Sequence, residues 1–222
     1  LGNEFLSYLR GCDVILEIVR NFKREDVPHS EGSVDFIRDI KIIEEEVKLA
    51  DEEILRRMKK EKNKNENLLL NKDWFLLING DYPKDVDIKK EIEDIGFLFK
   101  NIYILDLLWE LELLENKAFQ NEFQPKVFEF LNQFRKDLGL IQFFTFNQSV
   151  TQCWLIRKDS SILEAASMIH TDFMLKFKIA EIISLENFVK IKDWEKAKKD
   201  GLVEYKGRES QIKENDIIFI KI

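Results

Sequence analysis

The sequence predicts an α/β protein in two parts: a parallel sheet with helices over residues 1–137, then a small α+β domain of β-grasp type over residues 138–222. Three observations carry this reading. In the first part, apolar runs of strand length alternate with helix-period segments, the pattern of a parallel sheet. From Leu138-Gly139 onward, two strand runs are followed by a helix and further strands. The charge also steps there. Residues 138–222 hold 13 Lys/Arg against 12 Asp/Glu, and residues 1–137 hold 22 against 30, as expected of parts with different partners.

The elements follow in order. Asn3 is placed to cap a helix running to about Arg10, with Phe5, Leu6 and Leu9 on one face. Asp13–Val19 is an apolar run suited to a buried parallel strand. The polar stretch from Asn21 to Ser33 contains Pro28 and Gly32 and reads as a loop. Asp35 opens a long helix in which Phe36, Ile40, Ile43, Val47, Ala50 and Ile54 recur at spacings of three and four. From Arg56 to Asn67 the composition is that of a solvated helix end passing into a loop. Trp74–Ile78 is a second buried strand and runs into Asn79-Gly-Asp-Tyr-Pro83, which has turn chemistry. Ile88–Ile95 suggests a short helix, and Ile102–Leu105 a third strand. Leu107–Leu114 and Pro125–Leu138 are helical in pattern. Parallel strands would bring Asn79 and Asp106 to the ligand-binding edge of the sheet. Ile141–Phe146 and Val150–Ile156 form a hairpin-like pair around Asn147-Gln-Ser149. A helix at Ser161–His170, a strand at Phe177–Ile183, a short helical patch and a closing strand at Ile217–Ile222 complete the second part.

Composition excludes several classes. The chain is 45% hydrophobic and 35% charged, which suits a soluble globular protein. No apolar run approaches the length of a membrane span, and residues 1–10 do not resemble a secretion signal. Cys12 and Cys153 stand far apart in a Lys- and Glu-rich chain, which points to a reducing, cytoplasmic setting. His29 and His170 are equally separated, so a metal site is not expected. A net charge of −7 argues against a general coat for nucleic acid, and no DNA specificity is expected. A monomer is expected.

Several strings together resemble one family. They are Leu1-Gly-Asn-Glu-Phe-Leu6, Asp13 through Arg20, His29-Ser-Glu-Gly-Ser-Val-Asp35 with Ile37-Arg-Asp-Ile40, and Leu49-Ala-Asp51. Ala165-Ala166, Ile169-His-Thr-Asp-Phe173, Ala180-Glu181, Asn187-Phe188, Ala197-Lys198 and Gly201 continue the match. They resemble the YchF-type (Obg-like ATPase) P-loop NTPases, over almost the whole chain apart from residues 56–72. The resemblance implies a partial G domain over 1–137 and a β-grasp TGS domain over 138–222. It also implies ATP or GTP with Mg²⁺ as cofactors of the full-length family, and association with ribosomes or RNA.

Against that family the sequence shows departures. It contains no Gly-x-x-x-x-Gly-Lys-Ser/Thr and no switch Asp-x-x-Gly, the elements that hold phosphates and Mg²⁺. With Leu1 opening mid-element, the chain reads as a fragment, nucleotide-incompetent by itself. The family's base-recognition Asn-x-x-Glu corresponds to Asn79, Gly80, Asp81 and Tyr82, so Asn79 matches and the Glu position holds Tyr. These residues are either a base-binding loop or a plain Asn-Gly-Asp turn. Leu105-Asp-Leu-Leu-Trp109 stands where the family carries small residues; the side chains either crowd a purine or pack as helix core. Only 27 residues separate Asp51 from Asn79, so the family's helical insertion is expected to be shortened, near residues 41–70.

In the second part, His170, Asp172, Lys176 and Lys178 are the candidates for contact with RNA or a partner. Lys176, Lys178, Lys190 and Lys192 alternate with Phe177, Phe188 and Trp194. That is either a grip on single-stranded RNA or a strand face with aromatics turned inward. His170-Thr171-Asp172 is not read as catalytic; Asp172 is expected to orient the turn after the helix. His29 beside Glu31 is a possible pair. The rival to a ribosome-associated NTPase fragment is a degenerate, non-catalytic paralogue that uses the G-domain scaffold to bind protein.

Overall fold

The computed structural model describes residues 2–61, 67–81, 87–116, 123–146 and 150–222. Residues 1–131 and 132–222 form two compact units. The first contains α1 (Asn3–Gly11), β1 (Val14–Arg20), α2 (Phe36–Glu61), a 3-10 turn (Leu69–Asn71), β2 (Asp73–Asn79), α3 (Ile88–Glu93), β3 (Phe99–Leu105) and α4 (Leu107–Glu115). It ends within α5 (Val127–Asp137). The N-cap of α1 is Gly2, with Asn3 already helical.

The three strands lie in the order β1-β2-β3, all parallel. Strand β2 is central and apolar on both faces, so all of Trp74–Ile78 is buried. Period-two geometry sends Trp74, Leu76 and Ile78 one way, into clusters with Phe36, Ile40 and Val47 of α2. Phe75 points the other way and stacks on Tyr103 of β3 at 6.5 Å. Tyr103 in turn meets Phe130 of α5 edge-on at 5.0 Å. Each of these large side chains contributes about 1.5–3 kcal/mol by leaving water.

The buried stripe of α2 contains one acid. Asp51 is 1% exposed and accepts from Arg10 (2.6 Å), the Leu69 N–H (3.1 Å) and the Leu70 N–H (2.8 Å). Trp74 Nε1 donates to the Leu69 carbonyl at 2.9 Å. One carboxylate thus ties the end of α1 and the 3-10 turn to the middle of α2. Helix α2 continues to Glu61, and residues 62–66 of the expected shortened insertion lie outside the described residues.

The second unit contains β4 (Leu140–Phe146), β5 (Thr151–Arg157), α6 (Ile162–Ile169), α7 (Thr171–Leu175), β6 (Ile179–Ser184), α8 (Leu185–Ile191), α9 (Trp194–Lys199), β7 (Glu204–Lys206) and β8 (Asp216–Lys221). The order is β5-β4-β8-β6-β7. β4 and β8 pair in parallel at the centre and every other pair is antiparallel. The first and last strands adjacent, with a hairpin outside and a helix crossing between, is the β-grasp arrangement. The turn of the β4–β5 hairpin, 147–149, lies outside the described residues. Helix α6 starts with a capping box: Ser161 Oγ accepts the Glu164 N–H, and Glu164 accepts the Ser161 N–H at 2.6 Å. Those bonds hold the Glu164 carboxyl below its usual range.

Each face of this sheet has its own core. Phe143, Phe177, Ala180, Ile182, Ile218 and Ile220 pack with α6 on one side. Phe144, Phe146, Ile183 and Ile217 pack with Phe188, Ala197 and Trp194 on the other.

Candidate functional site

The parallel register sets Arg20, Asn79 and Leu105 in one row at the C-terminal end of the first sheet. There the three loops lock together. The Asn21 N–H donates to the Asn79 carbonyl at 2.7 Å, and Asn21 Nδ2 to the Asp81 carbonyl at 2.6 Å. The Gly80 N–H donates to the Leu105 carbonyl at 3.2 Å, and the Leu107 N–H to Asn79 Oδ1 at 3.0 Å. Gly80 has φ +130, and a Cβ there would sit 2.5 Å from the Asn21 carbonyl oxygen. The position therefore demands glycine on two counts. Arg20 donates to the carbonyls of Phe22 (2.9 Å) and Val27 (2.7 Å) and lies over the Phe22 ring, which shapes the loop after β1.

Asn79 is thus already half used. Its side-chain oxygen accepts from α4, which leaves its amide N–H groups as the part able to address a ligand. The N-terminus of α4 is closed as an anion site, because Asp106 Oδ1 accepts the Leu108 and Trp109 N–H groups at 3.1 Å each. Leu108 and Trp109 do not pack as helix core. They are 41% and 38% exposed, with Trp109 edge-on to Phe123 at 5.9 Å, while Glu110 and Leu113 face inward. Glu110 accepts the Val127 N–H at the start of α5 (2.9 Å). Tyr82, at the Glu position of the base-recognition string, lies outside the described residues. This edge therefore presents the Asn79 amide N–H groups at the C-terminal end of a parallel sheet, the place where ligands bind in open α/β folds. Among the described residues, no glycine-rich turn for phosphates and no cluster of His, Cys, Asp or Glu suited to a metal occurs at this edge.

The C-terminal candidates fall around α7. His170 is the N-cap of that short helix: its Nδ1 accepts the Asp172 N–H at 3.0 Å, which leaves the ring proton on Nε2, and the ring meets Phe173 edge-on. Asp172 pairs with Lys176 at 3.4 Å on the surface. Lys178 is exposed where β6 begins, and its backbone N–H donates to the Lys221 carbonyl. So the structure brings His170, Asp172 and Lys176 onto one helix, with Lys178 two residues beyond. Lys190 sits on α8 paired with Glu186 at 2.7 Å, and Lys192 is the left-handed C-cap of that helix. Phe177 is buried on the α6 side of the sheet, whereas Phe188 and Trp194 lie on the other side. The lysines and aromatics that alternate in sequence do not form one stripe.

Other polar residues carry more of the architecture than the sequence announced. His29 pairs through Nε2 with Asp39 at 2.9 Å, not with the Glu31 side chain; the Glu31 N–H donates to its Nδ1. Glu17 lies in the middle of β1 with a buried Oε1 that has no hydrogen-bond partner. Burial pushes its carboxyl up to about 8, and the Asp39 charge adds to the shift. It borders a groove of about 470 Å³ lined also by Phe5, Ile18, His29 and Ile42. Glu181 is buried among Trp194 Nε1 (3.1 Å), Lys198 (2.9 Å) and Lys221. Burial raises its pKa, but the Lys198 and Trp194 bonds outweigh that and hold it below the usual range. Asp51 was findable: it falls four residues after Val47 and three before Ile54, on the apolar stripe. Glu17, a lone acid inside Val-Ile-Leu-Glu-Ile-Val, carried a similar signal.

The arrangement has relatives. The family model YchF-GTPase_C, described as a protein of unknown function, matches residues 140–222. Obg-like ATPase 1 of Homo sapiens is 30% identical over 282 aligned positions, covering all of this chain and 71% of that protein. The Obg-like ATPase homolog of Schizosaccharomyces pombe is 30% identical over 277 positions, covering 68% of its length. This chain belongs to the YchF family of Obg-like ATPases. The fold agrees: the solved structure of the Schizosaccharomyces pombe YchF GTPase superposes with a TM-score of 0.77 at 24% identity, over all of this chain and 75% of the other. The alignment with the human Obg-like ATPase exceeds the 222 residues by 60 positions, so at least that many face gaps in this YchF-family chain. No helix among the described residues is long and apolar enough to cross a membrane.

Proposed function

We propose that these residues form the base-facing side of the G domain and the C-terminal β-grasp domain of a cytoplasmic YchF-type NTPase, and that the β-grasp domain docks on the ribosome or its RNA. The relatives are named an ATPase in one case and a GTPase in another, and the proposed cofactor of the whole enzyme is ATP or GTP with Mg²⁺. The observation that carries the reading is the loop lock at Asn79–Asp81. It builds a rigid, donor-presenting wall at the sheet edge where nucleotides bind in α/β folds. The 222 residues by themselves bind nucleotide poorly on this reading, since they offer nothing for the phosphates, which carry most of the charge recognised.

The test is a titration of ATP and GTP, each with Mg²⁺, into the 222-residue chain. The expected outcome is no saturable binding below millimolar nucleotide; micromolar binding would refute nucleotide incompetence. Ribosome co-sedimentation tests the second half. Exchanging Lys176 and Lys178 for Glu is expected to weaken pelleting with ribosomes, and unchanged pelleting would remove the α7 surface from consideration.

A second reading is favoured by the exposed Leu108 and Trp109 beside Asn79. Bulky apolar side chains at a purine edge suit a degenerate paralogue that contacts protein there. Adenosine and guanosine separate the two readings: measurable binding of either nucleoside, weakened by Asn79→Ala, supports the base wall, and its absence supports the paralogue.

A further inference from the structure

The second sheet opens along its middle. β4 and β8 pair only at Phe143–Asp216 and Phe144–Ile217, although β4 continues to Phe146 and β8 to Lys221. Beyond that point β4 stays with β5 and β8 stays with β6. The ladder phases show which backbone groups face the opening. The Lys158 N–H donates to the Gly139 carbonyl and the Leu185 N–H to the Asn215 carbonyl, each at 2.8 Å, in continuation of the β4–β5 and β6–β8 registers. In antiparallel pairs these bonds direct Thr145 toward β5, and Phe219 and Lys221 toward β6. Phe146 and Ile220 then turn their N–H and C=O groups to the opening, together with the Ile218 carbonyl. Among the described residues no β4–β8 pair beyond Phe144–Ile217 takes them up.

The opening is a cavity of about 200 Å³, walled by Phe146, Phe173 and Phe219, with exposed Gln152 in its lining. It is smaller than the ~300–1,000 Å³ of sites for drug-sized ligands and suits a single ring system. Three cations border it. Lys176 follows Phe173 at the end of α7, Lys221 follows Ile220, and the Lys178 N–H donates to the Lys221 carbonyl at 3.0 Å. Lys221 Nζ lies 4.6 Å from the centre of the Phe219 ring. Asp172 pairs with Lys176 and Glu181 with Lys221, whereas Lys178 has no acidic partner among the described residues. An occupant that satisfies all of this has a flat apolar body, N–H and C=O groups on its rim, and negative charge beside it. An unstacked base of RNA has the three together: it stacks on aromatic side chains, bonds through its edge and carries phosphates on either side. An aromatic side chain of a protein partner has only the first.

We propose that the opening between β4 and β8 takes one unstacked base of a single-stranded RNA, with Lys176, Lys178 and Lys221 on the flanking phosphates. The inference rests on the reading that the β-grasp domain docks on RNA, and it names the part of the RNA that enters the domain. The base lies against Phe146, Phe173 and Phe219, and its edge meets the backbone groups that the parted strands leave open.

Fluorescence anisotropy with the full 222-residue chain tests this. The probes are a labelled single-stranded RNA of about eight nucleotides and an abasic strand of the same length and charge. The strand with bases is expected to bind about tenfold tighter or more, because stacking is lost with the base. Val150→Trp extends an indole into the cavity from an exposed lining position and should bring the two strands to equal affinity. Thiouridine placed in the strand should photocross-link to peptides that carry Phe146 or Phe219. The strand comparison and the cross-links need no variant, so they decide the matter even where Val150→Trp lowers the thermal melt. Equal affinity of the two strands for the parent, still weakened by Lys176→Glu and Lys178→Glu, overturns the base site and leaves the docking reading standing. Cross-links confined to other peptides do the same. Binding of neither strand overturns the base site, and loss of ribosome pelleting as well overturns the docking reading with it.

Discussion

Gly80 shows how narrowly a single residue can be constrained. Its φ of +130 and the Asn21 oxygen at 2.5 Å from a would-be Cβ leave no side chain acceptable. Gly80→Ala is expected to cost about 1–3 kcal/mol, read as a lower urea midpoint at unchanged slope. Glu17 makes a prediction with a definite sign. Its carboxyl titrates near 4.5 when unfolded and near 8 when folded. Below 4.5 both states hold the proton and pH has no effect through this group. Between 4.5 and 8 the folded state holds more protons, so stability falls as pH rises, at a slope approaching about 1.4 kcal/mol per pH unit, and levels off above 8. Glu17→Gln should flatten that profile. Urea midpoints of parent and variant, compared from pH 5 to 9, should diverge as pH rises; parallel profiles would show that Glu17 ionises without hindrance in the folded chain.

At the scale of elements, Asp51 joins α1, α2 and the 3-10 turn through three hydrogen bonds in a buried setting. Asp51→Ala takes the carboxylate from Arg10, which keeps only its bond to the Asn67 carbonyl (2.9 Å), and leaves two backbone N–H groups unpaired; it is expected to cost about 3–5 kcal/mol in a denaturation curve. Most elements were legible. Strands β2 and β8 and helices α2 and α6 announce themselves by hydrophobic period and by apolar runs of strand length, which are local properties of the chain. The lysine and aromatic alternation at 176–194 was not legible as a surface. Residues adjacent in sequence there pass through α7, β6 and α8, so Phe177 and Phe188 end on opposite faces of the sheet. Neither was the role of His29: its partner Asp39 lies ten residues on, across a loop, while Glu31 is near in sequence and contributes its backbone.

At the scale of the molecule, each unit holds its own buried clusters, two in residues 1–131 and two in residues 132–222 among the described residues. Cooperative units with separate cores open separately. Asp51→Ala should therefore speed hydrogen exchange at the amides of β2 and leave those of β6 and β8 unchanged, measured by peptide-level mass spectrometry. Faster exchange in β6 and β8 would show instead that the units unfold as one.

The sequence by itself determined the α/β class, the β-grasp character of the second part and the membership of the YchF family. Hydrophobic periodicity, turn residues and family strings are written into the order of residues and need no coordinates. The tertiary structure alone decided how the polar groups are spent. Asn79 stood between a base-binding loop and a plain Asn-Gly-Asp turn, and the fold commits its side-chain oxygen to the Leu107 N–H; Asp106 was expected at the ligand-binding edge, and its side chain caps α4. The physical reason is that a polar group's partner is whichever donor or acceptor the packed backbone brings within about 3 Å, and that is set by the meeting of β1, β2 and β3 rather than by spacing along the chain.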